Sequence, residues 1–211
     1  MGDVLRCHEF AYLQRARSLC EGLEGEAKAA EAAAEAAAVG APPAEAALLQ
    51  PPLKASLDCD TELTAHSFSA AMRGAGAVVE AVRAVCATRR EARTAFCAVR
   101  PPGHHAGPHG AVGGQSAGFC VLSNAAIGAA YALAVHRDVV QRVAIVDFDI
   151  HHGNGTEACV QAVRPTPWSV THETPTGQVR DGGMCMCVCM GTGCAHAHVP
   201  HTHTRMLRNG R

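Results

Sequence analysis

Two short stretches of the chain concentrate residues able to do acid–base and metal chemistry. The first reads Arg100-Pro-Pro-Gly-His-His-Ala106 and the second Asp147-Phe-Asp-Ile-His-His-Gly-Asn-Gly-Thr156, so four His and two Asp fall within them. An extended backbone sends alternate side chains to opposite faces. If the segment ending at Asp149 stays extended, Asp147, Asp149 and His151 share one side, and a carboxylate and an imidazole project into the same cleft. That pair suits Zn2+, which takes His nitrogen and Asp oxygen at about 2.0–2.2 Å. A catalytic zinc needs three protein donors and an open position for water, and two donors are visible here. Asp147 fits as a carboxylate behind them, hydrogen-bonding a His, orienting it and raising its basicity. Taken singly, each feature has an ordinary explanation: a capping Asp, a loop His, an exposed turn after Pro-Pro. The density of both clusters, each directly after a predicted buried strand in a chain otherwise poor in charge, weighs against it.

The elements that must position these loops follow from apolar patterning. Ala95–Val99 is a short apolar run stopped by Pro101-Pro102, predicted to be a buried strand feeding the first loop. Arg142–Asp149, RVAIVDFD, is apolar on both faces, as a central parallel strand should be. Between them, Gly118–Leu122 reads as strand or loop, Ser123 as a cap, and Asn124 onwards as an Ala-rich buried helix. Strand, loop, helix, strand is the grammar of a βαβ unit, in which chemistry collects beyond the carboxyl ends of the strands. Thr64–Arg90 predicts a core helix, with Ala71, Ala75, Val78, Val79, Val82 and Cys86 on one stripe. Met1–Cys20 predicts another, with Phe10, Leu13 and Arg17 at helical spacing and nothing before it to serve as a first core strand. From Glu24 to Ala47, thirteen of twenty-four residues are Ala, which suits an exposed helix followed by a linker at Gly40 and Pro42-Pro43.

Composition narrows the class. The chain has 211 residues, enough for one domain, and its formal net charge of -1 gives no field for gripping polyanions. Nucleic-acid binding thus has no support from charge. With 48% hydrophobic but only 4% aromatic residues, the core must be built from Ala, Val and Leu. Of eleven Cys, seven are scattered singly from Cys7 to Cys159 and four crowd into Cys185–Cys194. Met1–Glu9 carries Asp3, Arg6 and Glu9 rather than a secretory signal, so a reduced, intracellular compartment is expected. Ala117–Val135 lacks Asp, Glu, Lys and Arg over nineteen residues, long enough to span a bilayer. The Ser123-Asn124 pair divides it into pieces too short for that, and core elements are expected instead.

RPPGHHA, then GFC at Gly118–Cys120 followed by SNAAIGAAYAL, then VAIVDFDIHHGNGT resemble the zinc-dependent histone deacetylases of the arginase/deacetylase superfamily, in order and spacing, from about Asp3 to Val163. The resemblance implies an α/β fold with an open parallel sheet flanked by helices, here incomplete at both ends. It implies that Asp149 and His151 bind zinc and that His104 and His105 form a tandem beside the metal-bound water. Asp147 would pair with one His of the tandem and Asn154 with the other; Asn at 154 is similar to the class II branch. Gly118 and Phe119 would line a channel for the lysine side chain, Phe119 stacking on its methylenes, and Asp58 or Asp60 would clamp the substrate backbone at the rim. Potassium near the Asp147 and Asp149 strand end is also implied. The implied reaction is zinc-assisted hydrolysis of N-acetyl-lysine, in which one His takes a proton as water attacks and the other protonates the departing amine. Implied partners are an acetylated histone or other acetyl-lysine protein and a corepressor complex, with no direct nucleic-acid or membrane contact, in nucleus and/or cytoplasm. Arginases bridge two manganese ions with a further carboxylate, which Gly153 and Asn154 do not supply, so one metal is favoured.

The family's third zinc ligand, a downstream Asp, and its oxyanion-steadying Tyr or His have no counterpart in this sequence. Asp181 stands too early and in another context. The expected organisation is a partial deacetylase domain over residues 1–163, with 24–55 its exposed helix and linker, then a weakly matching loop over 164–183. Residues 184–211 form a low-complexity Cys/His tail, expected to be disordered. Cys, Val and Met can be encoded by alternating T and G, and His and Thr by alternating C and A, so this tail reads as a translated dinucleotide repeat. Four functional expectations follow: a poorly active fragment of a lysine deacetylase, a non-catalytic remnant or partner-binding module, a deacetylase of small acetylated amines, and, on the tail alone, a metal buffer.

Overall fold

The structure, a computed structural model, describes residues 1–37, 53–87, 92–162, 185–190 and 193–197. A 3-10 turn at Val4–Arg6 leads into α1 (Phe10–Ala37). Then come the two-residue strands β1 (Ala55–Ser56) and β2 (Glu62–Leu63), α2 (Ser67–Cys86), and the strands β3 (Ala106–Gly107) and β4 (Gly110–Ala111). They are followed by α3 (Asn124–Val135), β5 (Ala144–Asp147), α4 (Asn154–Ala162), β6 (Cys185–Met190) and β7 (Gly193–Ala197).

The core is made by small residues, which bring helices close. Leu13, Ala16 and Cys20 of α1, Ala71, Ala75 and Val79 of α2, and Ala126, Ile127, Ala130 and Tyr131 of α3 form one buried cluster with Val121, Leu122 and Cys159. Helix α3 is buried nearly all round, as an uncharged Ala-rich run demands. Among the described residues no helix is long and apolar enough to cross a membrane. On α2 the predicted stripe is buried over its first half, while Val78 and Val82 line an apolar groove against β5. The sequence expectation of a helix over Met1–Cys20 is corrected: Cys7 and His8 turn inward and are buried, so a short turn precedes α1. That helix then runs through the Ala-rich stretch to Ala37; the predicted linker at Gly40 and Pro42-Pro43 lies outside the described residues.

Two strand expectations are also corrected. Ala95–Val99 is not a strand, and Phe96 is 92% exposed. An apolar run becomes a strand only when a neighbour pairs with it, and no pairing partner stands beside this one among the described residues. Arg142–Asp149 contributes Ala144–Asp147, with β6 as its single neighbour, so that among the described residues β5 lies at a sheet edge rather than centrally. Its parallel pairing runs from Ala144 opposite Cys185 to Asp147 opposite Val188, and β6 turns back antiparallel into β7. Cys185–Met190 and Gly193–Ala197 are therefore strands, where composition led to the expectation of disorder. An uncharged run of Cys, Met and Val beside an open strand edge has both the partner and the propensity for pairing.

His8 is 2% exposed; its Nε2 accepts the Ser123 N–H at 2.9 Å, and its Nδ1 has no hydrogen-bond partner among the described residues. Burial pushes its pKa down to about 4, so the folded chain holds it neutral while the unfolded chain protonates below its ordinary value of 6.5. The resulting stability is complete above pH 6.5 and falls as pH drops towards 4, by about 3 kcal/mol in total. Urea unfolding at pH 7 and pH 4.5 should show this loss in the parent chain and a shallower one in His8→Gln.

Candidate active site

The second loop leaves β5 at Asp147 and re-enters regular structure at Asn154, the first residue of α4. Across this gap the backbone folds on its own carboxylates. Asp147 Oδ1 accepts the Asp149 N–H at 3.1 Å, and Asp149 Oδ1 accepts the His151 N–H at 2.8 Å. These are Asx-type turns, and they carry the side chains on after the strand has ended. Helix α4 is tied to the first loop by the Thr156 N–H donating to the His104 carbonyl at 3.0 Å.

Two side-chain hydrogen bonds then join the loops. His104 Nδ1 meets Asp147 Oδ2 at 2.9 Å, and His105 Nδ1 meets Asn154 Oδ1 at 2.7 Å. The His104 and Asp147 side chains are 22% and 15% exposed, so their contact is largely shielded from water. Each bond engages Nδ1 and leaves Nε2 for chemistry. The rings of the tandem stand 4.1 Å apart, centre to centre, and the His105 ring is 6.1 Å from that of His151.

Asp149 Oδ1 and His151 Nδ1 lie 2.9 Å apart, both exposed on the cleft. The His151 N–H, and then its ring, hold the Asp149 carboxyl below its ordinary value. A carboxylate oxygen and an imidazole nitrogen that converge in this way form a fitting donor pair for a divalent cation. Among the described residues no third His, Cys, Asp or Glu completes a cluster with them.

The facing wall comes from Asp58–Thr61 and Gln115–Phe119. Asp58 accepts backbone N–H groups of Asp60, Thr61 and Ala117 at 3.0–3.1 Å. Burial alone would raise its pKa, but these hydrogen bonds outweigh it and leave the carboxyl lowered. Asp58 is thus committed to holding the wall together. Asp60 lines the cleft and accepts a hydrogen bond from the Ser116 hydroxyl, so of the two rim candidates it is Asp60 that faces the opening. Gly118 has φ +53°, and a Cβ there would come within 2.5 Å of His105 Cδ2; only glycine lets the wall lie against the ring. Phe119 follows at φ +65°, a conformation that costs a non-glycine residue about 1 kcal/mol or more, and the residue is 59% exposed. Gly153 performs the corresponding service for the second loop, since a side chain would run into Asp147 Oδ2.

Together these groups line a cleft of about 600 Å³. It gathers His104, His105, Gly118, Phe119, Asp149, His151 and Asn154 from the sequence-level candidates, with Asp147 behind His104. Arg100 and His152 also line it, although spacing gave neither a role; His152 pairs with Glu157 at 2.9 Å, an acid that reveals itself only once α4 forms.

A sequence profile described as the histone deacetylase domain matches residues 1–178. The chain belongs to this family. It is 48% identical over 99 residues to the Type-2 histone deacetylase 2 of Dictyostelium discoideum, covering 46% of this chain and 6% of that protein. A probable deacetylase of Archaeoglobus fulgidus is 37% identical over 119 residues, covering 56% of this chain and 30% of the relative. Among solved structures, the HD domain of HDA15 superposes with a TM-score of 0.53 at 26% identity, over 76% of this chain and 35% of that one. The chain therefore spans well under half the length of these relatives, and its α/β architecture is part of the arginase/deacetylase fold.

Gly118→Ala tests how the wall depends on the tandem. It is expected to cost about 1–3 kcal/mol in stability, from a strained φ and the clash with His105. It should also perturb the His105–Asn154 bond, read from the imidazole 15N shifts.

Proposed function

We propose that the cleft hydrolyses N-acetyl-lysine with the help of one zinc ion, on an acetylated histone or another acetylated protein. The observation that supports this best is the double pairing of His104 with Asp147 and His105 with Asn154, facing the Asp149 and His151 donor pair. Asp149 and His151 would hold the ion, which when bound supplies polarisation of the acetyl carbonyl and a water acidic enough to attack at neutral pH. The chain's own residues do the rest. Asp147 and Asn154 each fix an Nδ1 position, so both Nε2 atoms are presented for proton transfer. One ring takes the proton of the attacking water; the other gives a proton to the lysine amine as the C–N bond breaks, preventing collapse back to the amide. Phe119 offers an exposed aromatic face to the lysine methylenes, and Asp60 a carboxylate at the rim for peptide N–H groups.

With two zinc donors among the described residues where a catalytic site uses three, turnover by this chain alone is expected to be slow. Metal uptake is accordingly measured beside activity. The parent chain should bind zinc, and Asp149→Ala and His151→Ala should lose it. His105→Ala should keep the metal while any chelator-sensitive hydrolysis of an acetyl-lysine peptide falls by about 10²–10⁴-fold. Failure to bind zinc, or turnover indifferent to both the chelator and His105→Ala, would sink the proposal.

A further inference from the structure

The residues that line the cleft belong to four separate pieces of chain, and one segment, with Cys7, His8 and Tyr12 buried, touches three of them without reaching the cleft itself. That segment is Cys7–Tyr12, where the chain enters α1. His8 Nε2 accepts the Ser123 N–H at 2.9 Å, and the Tyr12 hydroxyl donates to the Val121 carbonyl at 2.7 Å. Both grip the strand of chain that runs directly on from Gly118 and Phe119. The Glu9 N–H donates to the Pro108 carbonyl at 2.9 Å, and the Tyr12 ring packs so closely under Gly110 that a Cβ there would sit 2.5 Å from Cε2. These contacts hold the β3–β4 hairpin, which continues from His104 and His105. The Cys159 thiol, on α4 with Asn154, lies 3.7 Å from the Cys7 carbonyl and 3.6 Å from that of Ala106.

We propose that His8 and Tyr12 are positioning residues for the cleft, fixing the distance between the Gly118–Phe119 wall and the His104–His105 tandem through the Ser123 amide and the Val121 carbonyl. This rests on the deacetylase reading for its chemistry, but its geometry stands on these contacts alone. Several features suit the role. His8 and Tyr12 are 2% and 6% exposed, and their rings lie 5.6 Å apart, so neither is free to follow solvent. His8 serves as an acceptor only while neutral, which its burial ensures at ordinary pH. Ser123 is the N-cap of α3 yet makes no side-chain cap bond, and its backbone N–H is the group that His8 holds. Removing either contact leaves a buried polar backbone group without a partner, a cost concentrated at Val121–Ser123.

The test is amide hydrogen exchange on the full chain, comparing the parent with His8→Leu, His8→Gln and Tyr12→Phe. Gln carries an acceptor where His8 has Nε2; Leu does not. Exchange at Phe119 and Cys120 is expected to speed up by about tenfold or more in His8→Leu and Tyr12→Phe, and to stay within about twofold at Ala75 and Val79 of α2. His8→Gln should restore the parent pattern. Equal acceleration in α2 and at the cleft would reduce both residues to general stabilisers and overturn the proposal, as would unchanged cleft amides or a Gln variant no better than Leu. Should His8→Leu fail to fold, Tyr12→Phe and His8→Gln decide by the same local-against-uniform comparison. Exchange requires no turnover, so a failure of the deacetylase chemistry and a failure of this proposal remain distinguishable.

Discussion

The hydrogen bonds from His104 to Asp147 and from His105 to Asn154 span 43 and 49 residues of chain and bring the two polar loops into one cleft. Partial burial makes them consequential. Shielded from water, a carboxylate against an imidazole interacts more strongly than on an open surface, and the same shielding makes an unpaired member costly. Local features then read as accommodations of this pairing. Gly153 clears space for the Asp147 oxygen, Gly118 for the His105 ring, and the Thr156 N–H pulls the start of α4 onto the His104 carbonyl.

The donor pair in front of the tandem has a different character. Asp149 and His151 sit on the exposed side, bonded to each other and to the turn between them. Backbone and ring N–H groups already favour the ionised Asp149 carboxyl, so its charge is present before any cation arrives. Orientation is thus inherited from Asx turns rather than from strand pleat, which ended at Asp147. Three buried thiols, Cys7, Cys120 and Cys159, lie near this architecture, yet burial pushes their pKa up to about 12, 11 and 12. They are held as thiols and pack as small apolar groups rather than reacting.

Several apolar side chains stand open to solvent. Phe96, Val146, Phe148 and Ile150 are each exposed by more than half, and β5 has β6 alone beside it among the described residues. Pairing between strands is a contact between distant parts of a chain. A run such as Ala95–Val99 therefore shows in its sequence that it can be a strand, but not that a neighbour will be there.

What the sequence determined by itself is local: the helical stripe of α2, the Ala-rich burial of α3, and two dense loops of His and Asp whose order and spacing match the histone deacetylase domain. Periodicity and composition carry that information because each depends on residues within a few positions of one another. Only tertiary structure could show that Asp58 is taken up by the Ala117 amide and its own turn while Asp60 faces the cleft. It alone could set Phe119 at a positive φ, convert part of the Cys/His tail into strands on β5, and reveal His8, whose partner lies 115 residues away. The reason is the same in each case. A hydrogen bond or a strand pairing between distant residues is decided by where the packed core leaves its donors and acceptors, and no short window of sequence contains both partners.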